Sequence, residues 1–253
     1  MMSYQLLDRK VIGYKMHPDT IWIPRFDGSC HLMHMGANTC AIDADSAALL
    51  KSILDIGLEG SVADLALRYG VDEAEIREDV QDFIRDLRKQ KLIQPLGYDG
   101  SPLERALDSA ARTLISGVLR LVTLGTRNLQ GRGGGLLWAA RWAVAQFGWA
   151  RTVREWERVY PQPTVPASSN AEKLETVDWV VRQAASHSPI GVECKERGLA
   201  CLALARESGI PAQLVVGISL NPLRGHVWVE AEGRVISDDP EHCRLFEPVA
   251  RYG

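Results

Sequence analysis

The residues best suited to covalent chemistry are Cys194, Cys201, His226, Asp238 and Asp239, all in the C-terminal quarter of the chain. The two cysteines stand seven residues apart in VECKERGLACLALARESG, nearly two helical turns, so both sulfurs fall near one helix face. Such a pair could be core packing, half of a metal site, a disulfide, or one nucleophile beside a bystander. Position separates them. Cys194 lies just before or in the first turn of a helix expected over 194–208, where backbone N–H groups and the helix dipole favour a thiolate and can donate to an oxyanion. Cys201 sits within the apolar run GLACLALA, where a thiol behaves as a small buried hydrophobe. Cys194 is therefore the candidate nucleophile and Cys201 a core residue.

A cysteine nucleophile needs a base and a group that orients the base. His226 begins the expected strand HVWVE and shares one face with Trp228 and Glu230, while Val227, Val229 and Ala231 share the other. The following strand offers Asp238 and Asp239. A three-residue loop, Ala231-Glu232-Gly233, pairs Glu230 with Arg234 and sets His226 opposite Asp238. A two-residue loop sets Asp239 there instead. Glycine in the third loop position favours the first register, which makes Asp238 the expected orienter. His187 and His242 fall in expected loops outside this geometry. No histidine pair has the i, i+4 spacing of a helical metal site, and the five cysteines (30, 40, 194, 201 and 243) form no CxxC pair. No metal, other cofactor or disulfide framework is expected.

The elements that must carry these residues divide by charge. Residues 1–100 hold 11 basic and 16 acidic side chains, residues 101–154 hold 8 and 2, and residues 155–253 hold 10 and 14. In the first segment, strands are expected at 20–25, 30–35 and 39–43, with turns at FDGS and at 36–38. Asp43 or Asp45 then caps a helix stopped by Gly57, Ser61 caps a second helix ended by Gly70, and a third runs over 72–93 with Ile76, Val80, Phe83, Ile84 and Leu87 as its buried stripe. Helices after strands suggest a winged helix. Residues 60–95 nevertheless carry six basic against eight acidic side chains, a poor partner for phosphate, so nucleic acid is not expected. Residues 95–102 read as a linker, which divides the chain into domains over 1–97 and 98–253. Residues 103–158 read as helical with a break at 125–135. Trp138, Trp142 and Trp149 are spaced 4 and 7 apart on one helix face, for packing or for docking onto a partner enzyme or an anionic surface. A loop at 160–170, a helix over 171–187, and strands over 213–220, 226–232 and 235–240 complete an α+β chain with an antiparallel sheet. The N-terminus lacks a signal-peptide core and no apolar run reaches the length of a transmembrane helix, so a cytoplasmic protein is expected.

The order C…R..ALA…GIPAQLVVGI…HVWVE…G.VISD resembles the lasso peptide maturation B protein, a leader peptidase with a transglutaminase-like fold. The resemblance covers about residues 190–240. It implies a catalytic Cys194–His226–Asp238 triad in a cysteine peptidase that removes the leader of a ribosomally made precursor. The N-terminal strands and helices resemble the winged-helix-like RiPP recognition element. That likeness implies that a leader peptide adds as a strand beside Thr39, Cys40, Ala41, Ile42 and Asp43 and lies against the third helix, at Ile76, Val80 and Phe83. An asparagine-synthetase-like, ATP-using cyclase is the implied partner, with 103–158 as one docking candidate and 170–253 as the catalytic core. Two other readings remain open: another transglutaminase-like acyl-transfer enzyme, and a non-catalytic leader-binding scaffold or regulator.

Overall fold

A computed structural model describes residues 13–36, 39–96, 102–164 and 171–253. The chain forms two compact units, residues 1–104 and 105–253.

The first unit contains β1 (Tyr14–Met16), β2 (Thr20–Pro24), β3 (Cys30–His34), β4 (Thr39–Ile42), α1 (Ala44–Tyr69), α2 (Glu73–Lys89) and β5 (Ile93–Pro95). Strands β2, β3 and β4 form an antiparallel sheet in that order, with β4 at one edge. Asp43 caps α1 by accepting the Ser46 N–H at 2.8 Å. The helix breaks at Gly57, whose φ of 77° suits a residue without Cβ. Ser61 is not the expected cap. It lies fully buried one turn beyond the break, and its hydroxyl donates to the Gly57 carbonyl at 2.9 Å. Asp72 caps α2, and Val80, Ile84 and Leu87 carry its buried face. The sequence pattern carries this helix to 93, but it stops at Lys89. Lys91 turns the chain with φ 57°, and Ile93–Pro95 pair with β1 instead. Three-residue strands carry too few alternations to announce themselves in a sequence. Of the expected 95–102 linker, Pro95 is in β5 and 97–101 lie outside the described residues. So do 37 and 38 of the expected turn, 165–170 of the expected loop, and the residues before 13.

The second unit contains all but the first turn of α3 (Pro102–Gly125), with α4 (Leu129–Phe147), α5 (Trp149–Val159), α6 (Ala171–Ser186), α7 (Cys194–Glu207), β6 (Ala212–Leu220), β7 (Leu223–Ala231), β8 (Arg234–Ile236), α8 (Pro240–Cys243) and β9 (Glu247–Tyr252). Helices α4, α6 and α7 pack on one another, and α7 lies on β6 and β7. The expected break at 125–135 shrinks to 126–128, since the glycine-rich stretch is helical. Its glycines serve contact rather than turning. A Cβ at Gly133 would stand 3.0 Å from Val180 of α6, and one at Gly135 would stand 2.8 Å from Val122 of α3. A second break falls at Gly148, φ 80°, between α4 and α5. Trp149 is therefore not on the face of Trp138 and Trp142. Those two stack at 6.5 Å on α4, whereas Trp149 is buried on α5 against Tyr252.

The sheet has the order β8-β7-β6-β9, antiparallel throughout. Strand β7 starts earlier than expected, pairing Leu223 with Leu220, and β9 is a fourth strand that the sequence pattern did not reveal. Glycine at 198 lets α7 approach the sheet, since a Cβ there would meet Leu214 at 2.8 Å and Val227 at 3.1 Å. Among the described residues, no helix is long and apolar enough to cross a membrane.

Candidate active site

Cys194 is the first residue of α7 and is half-exposed, in the first turn, where backbone N–H groups have no carbonyl partner within the helix. Glu193 caps the helix, and its N–H donates to the Glu196 carboxylate at 2.8 Å. Arg141 of α4 lies 3.7 Å from both Glu193 and Glu196. Cys201 is completely buried two turns further on, and burial pushes its thiol pKa far above the ordinary range. The two thiols have opposite environments on one helix.

His226 and Asp238 meet, but not through the expected register. The β7–β8 hairpin pairs Ala231 with Arg234 across a two-residue loop, Glu232-Gly233, with φ of 51° and 74°. Positive φ at both loop positions is the geometry of a type I′ turn. Continued along the strands, that pairing would set Asp239 opposite His226. It does not continue. Strand β8 ends at Ile236, and Ser237 takes φ 78°, which turns the chain out of the pleat. Asp238 thereby reaches the imidazole, with Oδ2 accepting from His226 Nε2 at 2.7 Å. Asp239 caps α8 instead, accepting the Glu241 N–H at 3.0 Å.

Helix α6 holds this turn. Asp178 accepts the Ser237 N–H at 2.7 Å, Arg182 donates to the Asp238 carbonyl at 2.6 Å, and Arg182 Nε bonds Asp178 at 2.8 Å. Both oxygens of the Asp238 carboxylate are engaged. Its Oδ2 also accepts from Arg197 at 3.0 Å, and its Oδ1 accepts the Asp239 N–H at 2.8 Å. These bonds overcome the opposing effect of burial and hold the Asp238 pKa down at about 2. Arg197 is three residues beyond Cys194, on the same helix face, a spacing that could have identified it. Asp178 and Arg182 had no such signal.

The His226 ring is buried among aromatic side chains. Phe246 stands 4.8 Å away, His242 packs edge-on at 4.9 Å, and Trp228 lies nearly parallel at 6.1 Å. His242, which the sequence pattern sets in a loop outside this geometry, lies beside it. Burial pulls the imidazole pKa down, but hydrogen bonds to Asp238 and to Cys194 outweigh it and hold the value at about 9. Nε2 is taken by the carboxylate, which leaves Nδ1 for the thiol. The site thus favours an imidazolium facing sulfur. The folded value lies above the ordinary 6.5, so the charged ring stabilises the fold fully below pH 6.5, and this contribution is lost as pH rises through about 9. The rate of any reaction that needs this imidazolium is expected to hold up to about pH 9 and to fall above it. Asp238→Ala is expected to move that fall to lower pH by roughly one unit or more. A pH–rate profile measures both.

Gly217 lies across from His226 in the β6–β7 ladder, and a Cβ there would stand 2.5 Å from the Trp228 ring and 3.0 Å from Phe246. Both rings are buried and cannot swing away. Gly217→Ala is expected to cost about 1–3 kcal/mol of stability, read by urea denaturation.

In the first unit, Thr39–Ile42 form edge strand β4, which pairs with β3 alone among the described residues, and Asp43 is the α1 cap. Ile76 and Phe83 are half-buried on α2, whereas Val80 is in the core.

Residues 30–93 match the family model of coenzyme PQQ synthesis protein D, the PqqD type of RiPP recognition element. Residues 135–251 match the model of the transglutaminase-like superfamily. Together these match the architecture of the fused lasso peptide B protein. No curated protein and no solved structure matches the chain. PqqD-type elements bind precursor peptides, and the transglutaminase-like superfamily generally has cysteine protease or acyltransferase activity. The Cys–His–Asp arrangement lies wholly within the second match.

Proposed function

We propose that this protein is a cysteine peptidase that binds the leader of a ribosomally made precursor and cleaves it off during lasso peptide biosynthesis. The observation that carries this reading is the 2.7 Å hydrogen bond from His226 Nε2 to Asp238, with Cys194 close enough to the same imidazole to help raise its pKa and standing at a helix N-terminus, on a polypeptide that also carries a recognition element. The Cys194 sulfur attacks the scissile carbonyl carbon, and the carbonyl oxygen takes the negative charge beside the α7 N-terminus, where the Cys194 N–H is a donor. Collapse of the intermediate breaks the C–N bond, and His226 gives its proton to the leaving amine. Water, deprotonated by the same imidazole, then hydrolyses the thioester and frees the leader. Asp238 keeps the proton on Nε2 and stabilises the imidazolium throughout.

The leader would pair with β4 as an added strand, contacting residues Thr39 to Asp43, with α2 lending Ile76 and Phe83 beside it. The freed core peptide would pass to the ATP-using cyclase, with 103–158 a candidate surface for that partner. The domain division read as 1–97 and 98–253 assigns binding to the first part and chemistry to the second, in the cytoplasm.

Incubating the purified full chain with its precursor and analysing the products by mass spectrometry tests the reaction. Hydrolysis yields free leader and core. A transferase on the same fold would yield a crosslinked or amine-tagged peptide, and an unchanged precursor would leave only a binding role.

A further inference from the structure

Cys243 is a buried thiol that the proposed chemistry does not use. It ends α8, is 4% exposed, and lies where His226 and Asp238, each 8% exposed, come together. One donor atom from each of these three residues falls within 4.8 Å of the others. Tetrahedral zinc places nitrogen, oxygen and sulfur donors about 2.0–2.3 Å from the ion, so its ligand atoms are roughly 3.3–3.8 Å apart. The present cluster reaches that arrangement by shifts of about 1 Å or less, with the 2.7 Å His226–Asp238 contact opening slightly.

We propose that His226, Asp238 and Cys243 form a regulatory site for a borderline-soft divalent transition metal, best suited to Zn²⁺, which turns the imidazole off when it binds. This rests on the proposed peptidase reading for its consequence, but not for the binding itself. The donor set is one imidazole, one carboxylate and one thiolate, the mixture that selects zinc over magnesium or calcium. The ion takes the place of the proton shared by His226 and Asp238, and Cys243 releases its thiol proton to solvent. With a ring nitrogen held by metal, the imidazole can no longer relay a proton to and from Cys194. Arg197 on the same carboxylate opposes a second cation, so the site is one that a chelator empties rather than a structural one. The three ligands come from a strand, an irregular turn and a short helix, which is why no sequence spacing announced them.

The test uses the full chain and Co²⁺ as a spectroscopic probe, reading the thiolate-to-cobalt charge-transfer band and its displacement by Zn²⁺. Cys194→Ala is expected to retain the band, and Cys194→Ala/Cys243→Ser to lose it. A band lost with Cys194→Ala alone would place the metal on the catalytic thiol, and a band surviving both changes would place it elsewhere. Either result overturns the proposal. Cys243→Ala, with thermal melts of each variant, separates loss of a ligand from loss of fold. With chelator present, Cys243→Ser is expected to cleave like the unmodified protein; without chelator it is expected to need at least ~10-fold more Zn²⁺ for inhibition, since a direct ligand is lost and even an outer-shell loss costs about 10-fold. Equal inhibition of both proteins sinks the metal site while leaving the peptidase reading intact. Absence of cleavage in both, with the cobalt bands as expected, sinks the peptidase reading and leaves the metal site standing.

Discussion

Cys194→Ala is expected to lower the rate of leader release by about 10⁴-fold or more, because every later step depends on the thioester. The substitution removes one half-exposed sulfur atom at a helix start, and the α7 cap does not use that side chain, so the fold and leader binding are expected to persist. Cys201→Ala is the matching control. Its sulfur is fully enclosed, so the change opens a small cavity and is expected to cost about 1 kcal/mol of stability with little effect on rate. Single-turnover cleavage and leader affinity, measured on both variants, separate the roles. Intact cleavage in the Cys194 variant would end the proposed mechanism. Loss of cleavage in a folded Cys201 variant would mean that the nucleophile is the other thiol.

The second large effect is expected at Asp238. Its two oxygens face only donors: His226 Nε2 and Arg197 on one, the Asp239 N–H on the other. An asparagine must therefore point its NH₂ group at one of these donors whichever way it is turned. If the amide nitrogen faces His226, the imidazole must adopt the other tautomer, with its proton toward the sulfur. Asp238→Asn is expected to reduce kcat/KM by about 10³–10⁴-fold while the backbone clamp from Asp178 and Arg182 keeps the turn in place. The check is the rate together with the alkaline limb of the pH profile, which should move down as the imidazolium loses its partner. A variant that cleaves at the original rate would remove Asp238 from the mechanism.

The parts of this molecule that were legible in the sequence are those governed by short-range rules. Asp43 acts as a cap, Gly57 and Gly70 end helices, and Cys194 stands at a helix start, all through local backbone chemistry. The failures concern contacts between distant segments. Gly133 and Gly135 resemble a turn by composition, but their role is set by Val180 and Val122, which lie on other helices. Strands β1 and β5 exist because each finds the other nearly eighty residues away along the chain. Asp238 is the most instructive residue. It meets the histidine as expected, although the hairpin register that pointed to it is off by one residue. The left-handed Ser237, held by Asp178, makes up the difference. Nothing around Ser237 in the sequence signals that conformation.

That turn also separates the acid from the hairpin that precedes it. In a continuous ladder, adding one residue to the loop would carry every later side chain to the opposite face of the sheet. Here the frame of reference for Asp238 is helix α6, not the strand it follows. The Glu232-Gly233 tip can therefore change length or sequence without re-aiming the acid. Variation at this tip, including the insertion of a binding loop or a reporter, is open to a protein of this design while its proton relay stays in alignment.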